Sequence, residues 1–298
     1  MAVASSGASL ELLALHTTTL EAAAAAVAAG GLGRFAPERT ASASWRPVAL
    51  LRHHACPVLC TVHCKLETGG RERHLLLSGS TDGCVALWDL TPLVAAYQSS
   101  GAEDGWAPPQ LAPLLALPSV HQSGVNAVAA APLQPASGGS SGQGGPASVL
   151  LFTGGDDQAL CFVRLEVEAS SGGCSSRGPG SGSSNGEDAA AIVGSSDRLH
   201  CRVAWSVPLP NAHSSAVRGV WTDGMASFSV GLDQRVRCWK LSGSDASGRA
   251  VAEITETGCA VTQALEPSAL DALPYGSGGY AVAVAGHCGT ELLHLNRL

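Results

Sequence analysis

Charge is scarce in this chain: Asp, Glu, Lys and Arg make up only 14% of its 298 residues, and they leave a net charge of −7. That acidic surplus disfavours nucleic-acid binding by bulk electrostatics, because phosphate contact needs clustered Lys and Arg. Two small basic spots, Arg71, Arg73 and His74 and then Arg235, Arg237 and Lys240, could touch a phosphate or serve as solvated strand edges. Long apolar runs are missing too. The longest near the start, Ala22 to Ala29, is far too short to span a bilayer. No basic residue precedes Arg34 and no cleavage pattern follows, which argues against an export signal; Glu11 and the missing Arg argue against a transit peptide.

Phosphate-binding loops are absent as well. The Gly-rich tracts Ser137 to Gly145 and Ser170 to Gly186 lack a following helix and a Lys. No strand–helix alternation runs along the chain, so a doubly wound cofactor-binding domain is excluded, and no cofactor is expected. The ten cysteines form no small-domain framework, and Cys84, Cys161 and Cys238 sit inside apolar strand runs as small fillers. A reducing, cytoplasmic compartment is expected.

What is present points to an all-β fold. The composition is 45% hydrophobic with 36 Gly and 16 Pro, which favours many short strands and turns. The clearest unit is Leu75 to Leu90, two short apolar runs flanking Asp82-Gly83. Asp and Gly tolerate the positive φ of a tight β-turn, so this stretch reads as a hairpin. Both runs are apolar on successive residues, the pattern of strands covered on two faces.

The hairpin recurs. Asp82, Asp157 and Asp233 align at separations of 75 and 76 residues, bringing Ser78 to Leu90 over Thr153 to Leu165 and over Ser229 to Leu241. Upstream of each, a His stands four residues before a Val: His54 with Val58, His121 with Val125, His213 with Val217. His-to-Asp spacing varies as 28, 36 and 20, and the surplus in the middle copy is the Gly/Ser/Pro-rich piece Pro135 to Pro146. Fixed hairpins with variable loops are the signature of a repeat array. The other reading is three unrelated hairpins that share turn chemistry.

On these residues the chain resembles the WD-repeat family of β-propellers, whose blades are four-stranded sheets. The resemblance implies an all-β WD-repeat propeller, an incomplete or C-terminal set of about four blades with Gly/Ser-rich insertions expected to be disordered. It also implies a buried relay in each blade, in which the turn Asp accepts from the His, the His meets a Ser or Thr hydroxyl, and that hydroxyl meets a Trp indole. The first repeat supplies His54, Ser78, Asp82 and Trp88; the third supplies His213, Ser229, Asp233 and Trp239. The second has His121, Thr153 and Asp157, but Val163 stands where Trp would be, so that relay is expected to stop at Thr153. Asp89 of the Trp-Asp pair becomes Arg164 and Lys240, and Gly83 becomes Gln158 and Gln234.

Within the family, the order of segments is similar to the C-terminal part of the large WD-repeat subunits that partner an FtsJ-like tRNA ribose methyltransferase. The stretches that carry this likeness are His53 to Val62, Arg73 to Ser78, Asp82 to Thr91, His121 to Asn126, Phe162 to Glu168, Ser206 to Pro208 with Ala212-His213, and Asp233 to Arg235. The likeness implies a non-catalytic scaffold for 2′-O-methylation of anticodon-loop ribose, with the methyltransferase and tRNA as partners and other proteins meeting the propeller faces. A general WD-repeat adaptor, such as a ubiquitin-ligase substrate receptor or signalling scaffold, is the alternative.

The chain divides accordingly. Residues 1–44 hold one strand of a partial blade (Gly7 to Leu15) and an Ala/Gly insertion, Ala22 to Gly33; residues 45–298 hold the blades. Clear repeats are expected over 54–90, 121–165 and 213–241, a degenerate blade without a turn Asp over 259–295, and a disordered insertion over 169–197. Thr91 to Pro109 reads as a Pro-bearing loop with an optional helical turn, and Leu111 to Leu117 as an outer strand. So few blades leave either an open arc from a longer protein or a small ring closed by the first strand. The Asp-His-Ser sets match a hydrolytic triad in composition only, since they repeat and lack a Gly-x-Ser-x-Gly elbow. A metal reading of His53, His54, Cys56, Cys60, His63 and Cys64 meets strand spacing that carries four residues ~13 Å, too far for one zinc.

Overall fold

The computed structural model describes residues 2–4, 7–17, 43–99, 106–133, 146–171, 197–242, 253–276 and 278–295. Most of the insertions at 22–33, 135–146 and 169–197 lie outside these. In chain order the first elements are β1 (Ala2–Ala4), β2 (Ser9–Thr17), β3 (Ala43–Arg52), β4 (Val58–Thr68), β5 (Arg71–Ser80), β6 (Val85–Asp89) and helix α1 (Thr91–Ser99). Next come β7 (Gln110–Leu111), β8 (Leu115–Leu117), β9 (Val125–Leu133), β10 (Ala147–Gly155), β11 (Leu160–Ser171) and β12 (Asp197–Leu209). The chain continues through β13 (Val217–Thr222), β14 (Ala226–Gly231), β15 (Arg235–Ser242), β16 (Glu253–Val261), β17 (Ala269–Tyr275), β18 (Gly279–Gly286) and β19 (Gly289–Leu295).

These strands form five sheets: β1-β2-β3-β7, β4-β5-β6-β8, β9-β10-β11-β12, β13-β14-β15-β16 and the three-stranded β17-β18-β19. All pairings are antiparallel except β3 with the two-residue β7. The fold is therefore the nearly all-β one that the repeat pattern predicts. Each sheet's first strand lies beside the next sheet's: β1 beside β4, β4 beside β9, β9 beside β13, β13 beside β17. The sheets thus succeed one another in chain order, like wedges.

Apolar layers fill the gaps between wedges. Leu76, Ala86 and Trp88 pack on the first sheet through Leu10, Leu12 and Leu51, while Leu75, Leu77 and Leu87 pack on the third through Val149, Leu151 and Leu165. This double covering is why β5 and β6 are apolar on successive residues. Leu150, Phe152 and Phe162 face the fourth sheet's Trp239, and Phe228, Val230 and Val236 face the last sheet's Val282 and Val284.

Two assignments change against the sequence reading. Cys259 to Leu265 does not open the last sheet: Glu253–Val261 pairs with β15 as the fourth strand of its sheet. The reason is chain order, since β8 and β12 likewise follow the third strand of their sheets and close its edge. Leu111 to Leu117 is split, with β7 on the first sheet and β8 on the second. The Thr91–Pro109 segment also holds more than a turn. Asp89 Oδ1 accepts the Thr91 N–H at 2.9 Å, and Pro92 sits where a missing N–H costs nothing, so a nine-residue helix starts there and buries Leu93.

Candidate functional site

The structure brings the His, hydroxyl and Asp side chains of the second and third repeats into one hydrogen-bonded line each, and breaks that line in the first. In the third repeat Trp239 Nε1 donates to Ser229 Oγ (2.8 Å), Ser229 meets His213 Nε2 (2.8 Å), and His213 Nδ1 meets Asp233 Oδ1 (3.0 Å). Donor counting fixes the directions: the hydroxyl accepts from the indole and gives its proton to Nε2, so the neutral imidazole carries its proton on Nδ1, facing the carboxylate. Burial lowers the His213 pKa, against the opposing pull of Asp233, so the ring stays neutral. Burial pushes the Asp233 carboxyl up, but hydrogen bonds from His213 and the Ser214 N–H outweigh it, and the pKa falls below the usual value. In the second repeat His121 links Asp157 (2.9 Å) and Thr153 (2.9 Å), and the chain ends there because Val163 has no donor.

In the first repeat Trp88 donates to Ser78 (3.0 Å) and Ser78 meets His54 Nε2 (2.8 Å), but His54 Nδ1 has no hydrogen-bond partner among the described residues. The Asp82–His54 bond implied by the resemblance is not made. The cause is one residue. Gly155 and Gly231 occupy the position two before the turn Asp, where a Cβ would lie 2.6–2.8 Å from the His Nδ1 and 2.7–2.8 Å from the carboxylate. The first repeat has Ser80 there, and its hydroxyl bonds Cys56 O instead (3.2 Å). A side chain stands where the His–Asp bond passes.

The repeats are also tied to each other. Gly83 O accepts the His121 N–H, Gln158 O the His213 N–H, and Gln234 O the Thr262 N–H, at 3.2, 3.1 and 3.0 Å. Thr262 is therefore the last sheet's counterpart of the relay His. Its hydroxyl donates to Glu291 Oε2 (2.5 Å), and the Gln263 N–H donates to the same oxygen (2.7 Å). The matching bonds elsewhere run from Gln122 N–H to Asp157 (2.8 Å) and from Ser214 N–H to Asp233 (3.1 Å). The last sheet lacks a turn Asp, as expected, but β19 supplies a carboxylate in its place.

An open cavity of about 770 Å³ lies at the entry ends of β4, β9 and β13, lined by Leu59, Asn126, Arg218, Leu232, Glu266, Pro267 and Ser268. Three of these come from one repeat position. The pairing skips Leu59 between Val58 and Cys60, Asn126 between Val125 and Ala127, and Arg218 between Val217 and Gly219, so each is the extra residue of a β-bulge. A bulge re-aims its side chain out of the ladder, here toward the shared mouth. Asn126 Nδ2 donates to Asp156 (2.7 Å), and Arg218 approaches the same carboxylate loosely at 3.7 Å. Glu266 is held at φ 48°, a backbone state that costs an L residue about 1–2 kcal/mol. Sequence reading missed this cavity; the residue after each repeat's Val was the available signal.

The His/Cys constellation disperses. His54 belongs to the relay, Cys60 Sγ donates to Val125 O (3.2 Å), and Cys64 joins the core. Burial pushes the Cys60 and Cys64 thiols up to about 12 and about 11, which makes them poor nucleophiles. Among the described residues no three His, Cys, Asp or Glu side chains converge on a metal position. The basic spots are only partly tied down: Arg237 binds Glu256 at 2.8–2.9 Å, His74 lies 3.4 Å from Glu72 and Arg73 is buried, while Arg71, Arg235 and Lys240 are exposed.

Antiparallel sheets that succeed one another like wedges, with buried His–hydroxyl–Trp relays in two of them, define a nearly all-β, propeller-like fold. No family model matches the chain, and no curated protein does. Among solved structures it is similar to Saccharomyces cerevisiae Sqt1, at 10% identity and a TM-score of 0.41, over 99% of this chain and 68% of that one. In the described residues no helix is long and apolar enough to cross a membrane.

Proposed function

We propose that this chain is a non-catalytic WD-repeat scaffold whose working surface is the cavity at the mouth of the inner strands. The observation that carries this reading is the division of labour within each repeat. The relay hydroxyls are sealed in, with Ser78, Thr153 and Ser229 at 0% exposure, so they cannot meet a substrate. The bulge residues differ in every repeat and face outward together. Fixed support under variable contacts is what a binding module requires.

The finer reading rests on the sequence resemblance to the C-terminal part of WD-repeat protein six. On it, the partner is an FtsJ-like tRNA ribose methyltransferase, the process is 2′-O-methylation of anticodon-loop ribose, and the compartment is cytoplasmic. The net charge of −7 favours a protein over tRNA as the direct contact. Co-expression tests it: the chain is expected to co-purify with the methyltransferase and raise methyl transfer to tRNA, and to transfer no methyl group alone. Turnover by the isolated chain, or a methyltransferase indifferent to it, overturns the reading. Recovery of cullin-linker proteins instead supports the general adaptor.

A further inference from the structure

Two imidazoles meet on the β4–β5 hairpin, away from the relay and from the cavity. Register sets Lys65 opposite His74 and His63 opposite Leu76, so His63, Lys65, Glu72 and His74 share one face, with His63 diagonal to His74. Diagonal neighbours on a sheet are within reach of long and aromatic side chains. The rings stack with centroids 5.4 Å apart and planes 14° from parallel, and His63 Nε2 lies 3.2 Å from His74 Nδ1. Other wedges do without such a pair. The repeat alignment puts Ala130 and Val149 at these positions in the second repeat, where both pack into the apolar layer between sheets, and Thr222 and Met225 in the third.

The two nitrogens are spaced for a shared cation. A first-row metal takes an imidazole nitrogen at about 2.0–2.1 Å, so two such nitrogens on one metal at octahedral or tetrahedral angles stand about 2.9–3.4 Å apart. The observed 3.2 Å falls inside that range. Without a cation one ring must donate its N–H to the other, because two lone pairs repel. With a cation both lone pairs point inward, and the change between these states is a tautomer shift of His63 that moves no backbone.

Glu72 prepares the other ring. Its Oε1 lies 3.4 Å from His74 Nε2, so the proton of the neutral imidazole is drawn to that side and Nδ1 is left bare toward His63. Lys65 Nζ, 3.2 Å from the same oxygen, holds the carboxylate in place. A carboxylate on the far nitrogen of a ligating imidazole orients the ring and raises its basicity. His63 is exposed and His74 half-buried, so a cation reaches the pair from solvent and keeps water on its remaining positions.

We propose that His63 and His74 form a two-imidazole site for a first-row divalent cation of the Ni²⁺, Cu²⁺ and Zn²⁺ group, with Glu72 as its positioning residue.

Ni²⁺ alone, titrated into the untagged full chain, tests this by calorimetry and by NMR of the imidazole protons. Expected is one ion per chain whose paramagnetism broadens the His63 and His74 signals first, with affinity falling at least tenfold in His63→Gln and in His74→Gln. Glu72→Ala should weaken binding about tenfold to a hundredfold while the same two rings still broaden first. Melting without metal checks that each variant keeps the parent's fold; His63→Ala, which installs the second repeat's residue type, replaces any Gln variant that melts low. No binding, binding that survives both His substitutions, or binding that disappears instead with Cys259→Ser and Cys288→Ser overturns the proposal. Neither tRNA nor methyltransferase enters the experiment, so its outcome is separate from the scaffold reading.

Discussion

Gly231→Ala should break the third relay in the way Ser80 breaks the first. The added Cβ would sit 2.8 Å from both His213 Nδ1 and Asp233 Oδ1, too close for any real contact, and their bond is 3.0 Å long. The pair must separate beyond hydrogen-bond range, leaving the His213 N–H buried without a partner. A hydrogen bond to a charged group is worth about 1.5–3 kcal/mol, and the loss of glycine's freedom in the unfolded chain returns about 0.4–1 kcal/mol. The net loss is about 2 kcal/mol, or about 3 °C in Tm for a chain of this size. Ser80→Gly is the reverse experiment. It would gain the His54–Asp82 bond but forfeit the Ser80–Cys56 bond, about 1 kcal/mol, and add glycine entropy of about 0.5–1 kcal/mol. Stability should therefore move little, while the His54 Nδ1 proton becomes visible by NMR and the His54 pKa rises. A Gly231→Ala variant that melts with the parent and keeps its His213 Nδ1 proton, or a Ser80→Gly variant with unchanged His54 titration, would refute the reasoning.

Burial depresses the His54 and His213 pKa values, so both rings contribute stability that is present above the unfolded value of 6.5 and lost as pH falls through the folded values. Urea midpoints should be flat from pH 8 to 7 and decline below 6.5, each ring adding a slope of at most about 1.4 kcal/mol per pH unit; His213→Gln should flatten the decline. Gln158 and Gln234 hold φ 65° and 57° in the turn where Gly83 holds 78°. Gln234→Gly should stabilise by about 1 kcal/mol in chemical denaturation, whereas Gly83→Ala, whose Cβ would lie 2.1 Å from His121 O, should abolish cooperative folding. Arg218→Ala and Leu59→Asp change a half-buried and an exposed bulge residue, so each should leave Tm within about 2 °C yet weaken a partner held at the cavity at least tenfold by calorimetry.

How much of this was legible beforehand divides along physical lines. Apolar runs and Asp turns declared the hairpins, because a strand covered on both faces must be apolar on successive residues, as Leu75 to Leu77 are. The His-to-Asp frame located three relays, since their side chains satisfy each other and little else can. Ser80 against Gly155 and Gly231 was visible in the alignment but mute: only the path of the His–Asp bond explains why a hydroxymethyl group matters there. Thr262 and Glu291 were illegible for a different reason. The carboxylate comes from a strand rather than the turn, so no fixed spacing points to it.

The cavity was hidden by the same regularity that revealed the relays. Alignment rewards positions that agree, and Leu59, Asn126 and Arg218 agree in nothing but place. Their shared property is geometric: each is the residue that the ladder skips, one step after a Val packed against the preceding sheet. A skipped residue makes no cross-strand pair, so the ladder itself sets no demand on its side chain, although Asn126 uses its amide to reach Asp156 and the next sheet's Val217 O. In a repeat array, then, the positions free to acquire a partner are those that the relay aims but does not use. Thr262 lies seven positions before the start of β17 at Ala269, whereas His213 lies four before the start of β13 at Val217, and the three extra residues place Glu266, Pro267 and Ser268 at the rim.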